Sequence, residues 1–314
     1  KDRLLTASYR YGYNPNNSES GSTYDLITGT LPPTALTNRQ YSDAKMDEHT
    51  FQVDYTTPIN KIHSIETGLK YILRINQSHS GYEFLNASNR WENKSDPMYE
   101  FKHDQDILAA YGGYSLKLDK WAFKAGLRYE ATWLEAKYPL DETNNFKTNY
   151  SNVVPSVTAT YRIKPAQNLR LGYNMRISRP SIWQLNPYEN TSNPNYTNKG
   201  NPELDAVKWN SFNLNYNFFN PKLNFNLNSS YSFANNSIES ITLLNNGKSI
   251  STYENVGVNR NWYMNGYFNW SINPKLRIYG NASLNYVHIE APDYANGKTL
   301  SNHGFTYGFS GGVQ

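Results

Sequence analysis

The sequence contains no cysteine, which excludes a disulfide framework and thiolate metal sites but leaves the compartment open. It has no apolar run near the roughly 18 residues that a membrane-spanning helix needs. Its 6 His show no H-x-x-x-H or H-E-x-x-H spacing, and no glycine loop that could cradle phosphate is present. The net charge of +4 is dispersed along the chain, without the basic cluster that nucleic acid requires. No Ser/His or Asp/His motif points to hydrolysis, so neither an enzyme nor a bound cofactor is expected.

What is present is aromatic and periodic. There are 27 Tyr, 13 Phe and 7 Trp in a chain of low mean hydropathy, a combination natural where only half of each strand meets lipid. From Trp121 to Trp133, the residues Trp121, Phe123, Ala125, Leu127, Tyr129, Ala131 and Trp133 alternate with Lys124, Gly126, Arg128, Glu130 and Thr132. A strand sends successive side chains to opposite faces, so this segment has one apolar and one polar side. Strands of about 9 to 11 residues, apolar on one side and aromatic at the ends, are what a tilted β-barrel crossing of a bilayer needs. The expected class is therefore an all-β, transmembrane antiparallel barrel in the outer membrane of a Gram-negative cell.

The same alternation predicts about twelve strands, near 4–13, 48–57, 62–76, 102–115, 121–133, 152–162, 168–178, 207–219, 222–234, 257–271, 275–288 and 303–314. The strand near 102–115 has ambiguous facing, because Ile107, Leu108, Ala109 and Ala110 are consecutive. Short turns rich in Pro, Asn and Asp fall at 58–61, 117–120, 164–167, 220–221 and 273–275. Long polar stretches fall at 14–47, 77–100, 134–151, 179–206, 235–256 and 289–302, and one of them carries a hairpin signal at Asn246-Gly247. Short periplasmic turns and long extracellular loops are the asymmetry of transmembrane barrels. A soluble sandwich or propeller is the alternative, but it has no use for that asymmetry and should contain strands buried on both faces.

One stretch resembles a known family. It runs Ser178-Arg179-Pro180-Ser181, Gln184-Leu185-Asn186-Pro187-Tyr188, Gly200-Asn201-Pro202-Glu203-Leu204 and Trp209-Asn210-Ser211-Phe212. This series is similar to the SRPS, LNP and GNPxL motifs in the barrels of TonB-dependent outer-membrane receptors, in particular the outer-membrane β-barrel family of Bacteroides-like bacteria. Gly68-Leu69-Lys70-Tyr71 and Gly126-Leu127-Arg128-Tyr129-Glu130 are further matches. The resemblance implies a barrel of about 22 strands closed by an N-terminal plug. It also implies import of a scarce ligand (siderophore, glycan or peptide) with energy delivered through TonB. On this reading, residues 1–314 are part of the barrel domain, with the plug, the TonB-contacting region and further strands outside them. Lipid and lipopolysaccharide are then partners, and in some receptors of this kind a surface lipoprotein caps the barrel. The alternative is a passive pore or a structural surface barrel without a plug.

Two sets of candidate site residues follow. On the wet faces of the strands, Glu66, Lys70 and Arg74, then Lys124, Arg128 and Glu130, then Arg170 and Arg176 are expected to face the lumen or plug. In the loops, Trp91, Trp183, Tyr188, Tyr196 and Tyr253 place aromatic faces among Asn, Ser and Gly, an arrangement suited to ligand capture as well as to loop packing. Pro180, Pro187, Pro194 and Pro202 predict that the motif-bearing loop is fixed in shape. The runs Asp47-Glu48-His49 and His103-Asp104-Gln105-Asp106 could meet at the outer rim, but such clusters more often face solvent, and no specific metal site is expected.

Overall fold

A computed structural model describes residues 3–23, 37–93, 99–187, 190–193, 196–245, 248–293 and 297–314. They form one 15-stranded sheet. The strands are β1 (Leu4–Thr23), β2 (Thr37–Pro58), β3 (His63–Leu85), β4 (Trp91–Asn93) and β5 (Tyr99–Lys117). Then come β6 (Trp121–Lys137), β7 (Phe146–Lys164), β8 (Gln167–Ser178), β9 (Asn190–Asn193) and β10 (Tyr196–Asn198). The last are β11 (Val207–Phe219), β12 (Leu223–Asn245), β13 (Lys248–Asn273), β14 (Leu276–Asp293) and β15 (Lys298–Val313). One short helix, α1 (Ile182–Leu185), lies in the motif-bearing stretch. No helix is long and apolar enough to cross a membrane, which says nothing of crossing by strands.

The long strands run as an antiparallel meander, each paired with its sequence neighbours, apart from the short β4, β9 and β10. Among the described residues β1 pairs only with β2 and β15 only with β14, so the sheet is open along those two edges. Every strand expected from periodicity is present. Several turns are built by an asparagine side chain that folds back on the chain. Asn60 Oδ1 accepts from the amides of Ile62 and His63 at 2.9 and 3.0 Å, and Asn220 Oδ1 from Lys222 and Leu223 at 2.8 and 2.7 Å.

Much of what was expected as long loop is strand. β1, β2, β3, β12 and β13 continue about ten residues past the apolar belt as paired hairpins. These extensions escape the period-two criterion because both of their faces are wet, so no apolar side marks them. The hairpin signal in 235–256 corresponds to such an extension, with Leu244 opposite Ser249 and Asn245 opposite Lys248, while Asn246 and Gly247 lie outside the described residues. The stretch 179–206 is the one that leaves the meander.

The apolar side is unpartnered. Leu127 is 56% exposed, Phe212 51% and Phe309 84%, values that a soluble core would not leave open. From Trp121 to Trp133 the apolar row runs about 40 Å along β6, or about 30 Å along the membrane normal at a tilt near 40°. Facing on β5 is settled by register. Ile107 and Ala109 sit opposite Thr132 and Glu130 and are 2% and 1% exposed, whereas Leu108 is on the lipid side.

Candidate functional site

Register places the polar alternates of all long strands on one face of the sheet, and that face divides in two. Across β1 to β8 it carries charge, mostly in pairs. Glu48 accepts from Arg10 Nη2 at 2.6 Å and from Arg74 Nη2 at 2.6 Å, and Arg74 Nη1 also reaches Gln105 Oε1 at 2.9 Å. Lys124 Nζ meets Glu66 Oε2 at 2.6 Å. Glu130 is held between Arg128 Nε and Arg179 Nη2, each at 2.5 Å. Tyr111 lies across Gly68 to donate to Asp54, with the Arg128 guanidinium 5.2 Å from its ring centroid. A Cβ on Gly68 would fall inside that ring, which is why the Gly68-Leu69-Lys70-Tyr71 match begins with glycine. Lys70, Arg170 and Arg176 make no ion pair among the described residues.

Across β11 to β15 the same face is neutral. Its positions within the belt are mostly Asn, Ser, Tyr, Thr and Gly, with Trp209, Phe219 and Val287 among them and Arg277 beside a turn as the charge there. Asn213 donates to Asn174 at 3.0 Å and accepts from Ser230 at 2.9 Å; Asn265 donates to Asn281 at 3.0 Å. Asn215, Asn228 and Asn265 stand in one cross-strand row.

The motif-bearing stretch folds onto the charged part of this face. Arg179 reaches Glu130 and also donates from Nε to Thr132 Oγ1 at 3.2 Å. Ser181 caps α1, its Oγ accepting from the Gln184 amide while its own amide donates to Gln184 Oε1, a reciprocal capping box that sets the helix where the sequence has only four residues for it. Leu185 and Leu204 are then buried against Leu134, Ala136 and Tyr138, with Phe146 and Tyr253 packed around them. Gly200 lies so close to Asn186 that a Cβ would come within 2.5 Å of its backbone nitrogen and oxygen. Gly200 and Asn201 donate to the carbonyls of Asn186 and Gln184, both at 2.6 Å, and Asn201 Nδ2 donates to the Tyr253 carbonyl at 3.0 Å. Asn255 and Asn236 close the stretch onto β12 and β13 by bonds to the backbone of Asp205 and Ala206. Tyr138, beyond the belt, donates to Asn186 Oδ1, and burial pushes its phenol well above the usual range.

Within 179–204 the motifs therefore work as fastenings: Arg179 supplies an ion pair, Ser181 a cap, Leu185 and Leu204 buried side chains and Gly200 a close approach. Packing and hydrogen bonds hold the described parts of the stretch in place. Pro180 is buried, and Pro194 lies outside the described residues.

The aromatic candidates are not brought together. Trp91 lies on β4 under the Arg39 guanidinium, 4.5 Å from its ring centroid. Trp183 projects from α1 at 73% exposure, and Tyr253 is taken up in packing around Leu185 and Leu204. Tyr188 lies outside the described residues, as does the side chain of Tyr196, whose backbone in β10 pairs with Ser249. The rim runs are split by strand alternation: Asp47, His49, Asp104 and Asp106 take the lipid side, Glu48, His103 and Gln105 the polar side. Asp47 and His49 bond Tyr11 and Tyr9 instead, and no group of three or more potential ligands could hold a metal among the described residues. Sequence reasoning missed Arg179, Leu185, Leu204 and Asn201 as functional parts, although their presence in the motif series was the available signal.

Known structures share this architecture. The copper transporter OprC matches with a TM-score of 0.64 at 11% identity, over 91% of this chain and 46% of that one. The ferripyoverdine receptor of the outer membrane of Pseudomonas aeruginosa matches at 0.61 and 9% identity, over 99% and 48%. The RagAB peptide transporter matches at 0.60 and 15% identity, over 95% and 36%. The chain thus spans about half or less of the length of these proteins. No curated protein sequence matches it. The model of the outer membrane protein beta-barrel family matches residues 1–313, and with a lipid-facing belt, a polar face and an antiparallel meander all in place, the chain belongs to that family and is outer-membrane β-barrel wall.

Proposed function

We propose that this chain forms part of the barrel of a TonB-dependent receptor that imports a scarce ligand across the outer membrane. The observation that carries the proposal is the motif-bearing stretch. It is clamped onto the polar face by Arg179, Leu185 and Leu204, so it narrows the interior while presenting Trp183 on a rigid turn. Structural neighbours that carry copper, bind ferripyoverdine or transport peptides support the general kind of activity. The work is binding outside and release inside, with energy from TonB engaging a region beyond this chain; catalysis plays no part. Glu66, Lys70, Arg74, Lys124, Arg128, Glu130, Arg170 and Arg176 line the lumen. Trp91 and Trp183 belong to the ligand-facing surface, where the tall hairpins also meet lipopolysaccharide and any capping lipoprotein.

The test is uptake by cells carrying the full-length receptor or a deletion of it, with labelled ferric siderophore, oligosaccharide and peptide as probes, with and without a protonophore. Import predicts saturable uptake of one probe that the protonophore abolishes. Uptake linear in concentration and indifferent to the protonophore would establish the passive pore instead.

A further inference from the structure

On the polar face of β1 to β8 most cations meet a carboxylate; the exceptions among the described residues include Lys70 on β3 and both arginines of β8. Arg10, Arg74, Lys124, Arg128 and Arg179 each meet a glutamate. Arg170 and Arg176 are exposed and meet none among the described residues. The reason lies in the sequence of the neighbouring strands. On the same face, β7 offers Thr158 and Thr160, β11 offers Ser211, Asn213, Asn215 and Asn217, and β12 offers Asn224, Asn226 and Asn228. The closest carboxylate in strand order is Glu130 on β6, already shared by two guanidiniums.

The space in front of Arg170 is concave. A cleft of about 570 Å³ opens there, lined by Arg162, Arg170, Asn168, Asn215, Asn217 and Asn228. Arg162 is turned toward the β5–β6 turn, where it donates to the Asp119 carbonyl at 2.5 Å. Asn217 and Asn168 bond each other at 3.2 Å, whereas Asn215 and Asn228 have no side-chain hydrogen bond among the described residues. The cleft therefore holds a free guanidinium, free amides that both donate and accept, and no negative charge. A guanidinium offers a planar fork of donors matched to carboxylate and phosphate oxygens.

We infer that the cleft on β7, β8, β11 and β12 is an anion-binding site, in which Arg170 takes a carboxylate or phosphate group of a small diffusible ligand whose uncharged body lies along the neutral amides of β11 and β12. Arg176, about 20 Å further along β8, is a second station for the same anionic group nearer the outer end. The site deepens the import proposal by naming the chemistry of the cargo, and it rests on that proposal only for the direction of movement.

The absence of cysteine makes a direct test available. In the full-length receptor in membranes, Asn215→Cys supplies a single thiol in the cleft if the rest of the protein is also free of reactive cysteine; otherwise those residues are first changed to serine. Its modification rate is measured with an anionic (sulfonatoethyl) and a cationic (trimethylammonioethyl) methanethiosulfonate, each divided by its rate with free cysteine. An open anion site predicts a preference of about tenfold for the anionic reagent, by local electrostatic concentration. The preference falls to near unity with Arg170→Gln and returns with Arg170→Lys. Equal rates, or a thiol inaccessible to both reagents because an acidic segment of the receptor itself fills the cleft, overturn the inference. Retained heat-modifiable gel mobility identifies folded variants, and because no transport is read, failure here is separable from failure of the import proposal.

Discussion

The charged half of the polar face, on β1 to β8, and its neutral half, on β11 to β15, share one antiparallel sheet and one pleat, yet they are held differently. Between β1 and β8 the face is cross-linked by ion pairs, Arg10–Glu48–Arg74 across three strands and Arg128–Glu130–Arg179 from β6 to the motif-bearing stretch. Between β11 and β15 it is a lattice of amides and hydroxyls in which each bond is short-range and replaceable. The motif-bearing stretch is held by an ion pair to the first half and by amide hydrogen bonds to the extensions of β12 and β13. A charged wall grips, because each unpaired partner is costly; a neutral wall can exchange partners with a passing ligand at little cost.

The difference can be broken at its strongest point with Glu130→Ala. The Glu130 and Arg179 side chains are 11% and 21% exposed, so both guanidiniums lose a largely buried partner. A loss of about 3–5 kcal/mol is expected in the full-length receptor, read as a lower urea midpoint for unfolding from lipid vesicles. A cost below about 1 kcal/mol would mean that the pair is screened like a surface bridge. Next, Leu185→Ala separates packing from charge in the same fastening. It should cost about 2–4 kcal/mol and make an Ala136→Cys thiol beneath the loop more reactive, while leaving the belt intact.

On the neutral side, Asn213→Ala removes bonds to Asn174 and Ser230 and should cost only about 1 kcal/mol by the same unfolding measurement. A cost equal to that of Glu130→Ala would erase the distinction between the halves. The smallest effect is pH-dependent and lies beyond the belt. Lys147 and Lys137 hold the Glu135 carboxylate below its ordinary range. Because the folded value is the lower one, the contribution is present above the unfolded glutamate pKa of about 4.3 and disappears as pH falls through the folded value. Stability measured between pH 5 and 3 should fall slightly less steeply in Glu135→Gln, and an unchanged slope would show the bridge to be inert.

Much of the wall is legible in one dimension. Inside the belt, every residue has lipid on one side and water or protein on the other, so each strand writes its facing into consecutive letters, and Asn60 and Asn220 mark turns by bonds to residues two or three positions away. Beyond the belt that signal fades, and apart from the extension marked by Asn246-Gly247 the hairpin extensions were readable only as loop. The ambiguous run from Ile107 to Ala110 was likewise settled by its partners Thr132 and Glu130, not by its own composition.

The amino-acid sequence by itself determined the class of structure, the number of long strands, their facing and the existence of the motif series, because those depend on local periodicity and short-range hydrogen bonds. Only the tertiary structure decided what the motifs do and which charges are paired. Arg179 and Glu130 are 49 residues apart, and Asn201 and Tyr253 are 52 apart. Contacts of that span depend on the register of several intervening strands at once, and a shift of one residue in any of them would turn the partners to opposite faces.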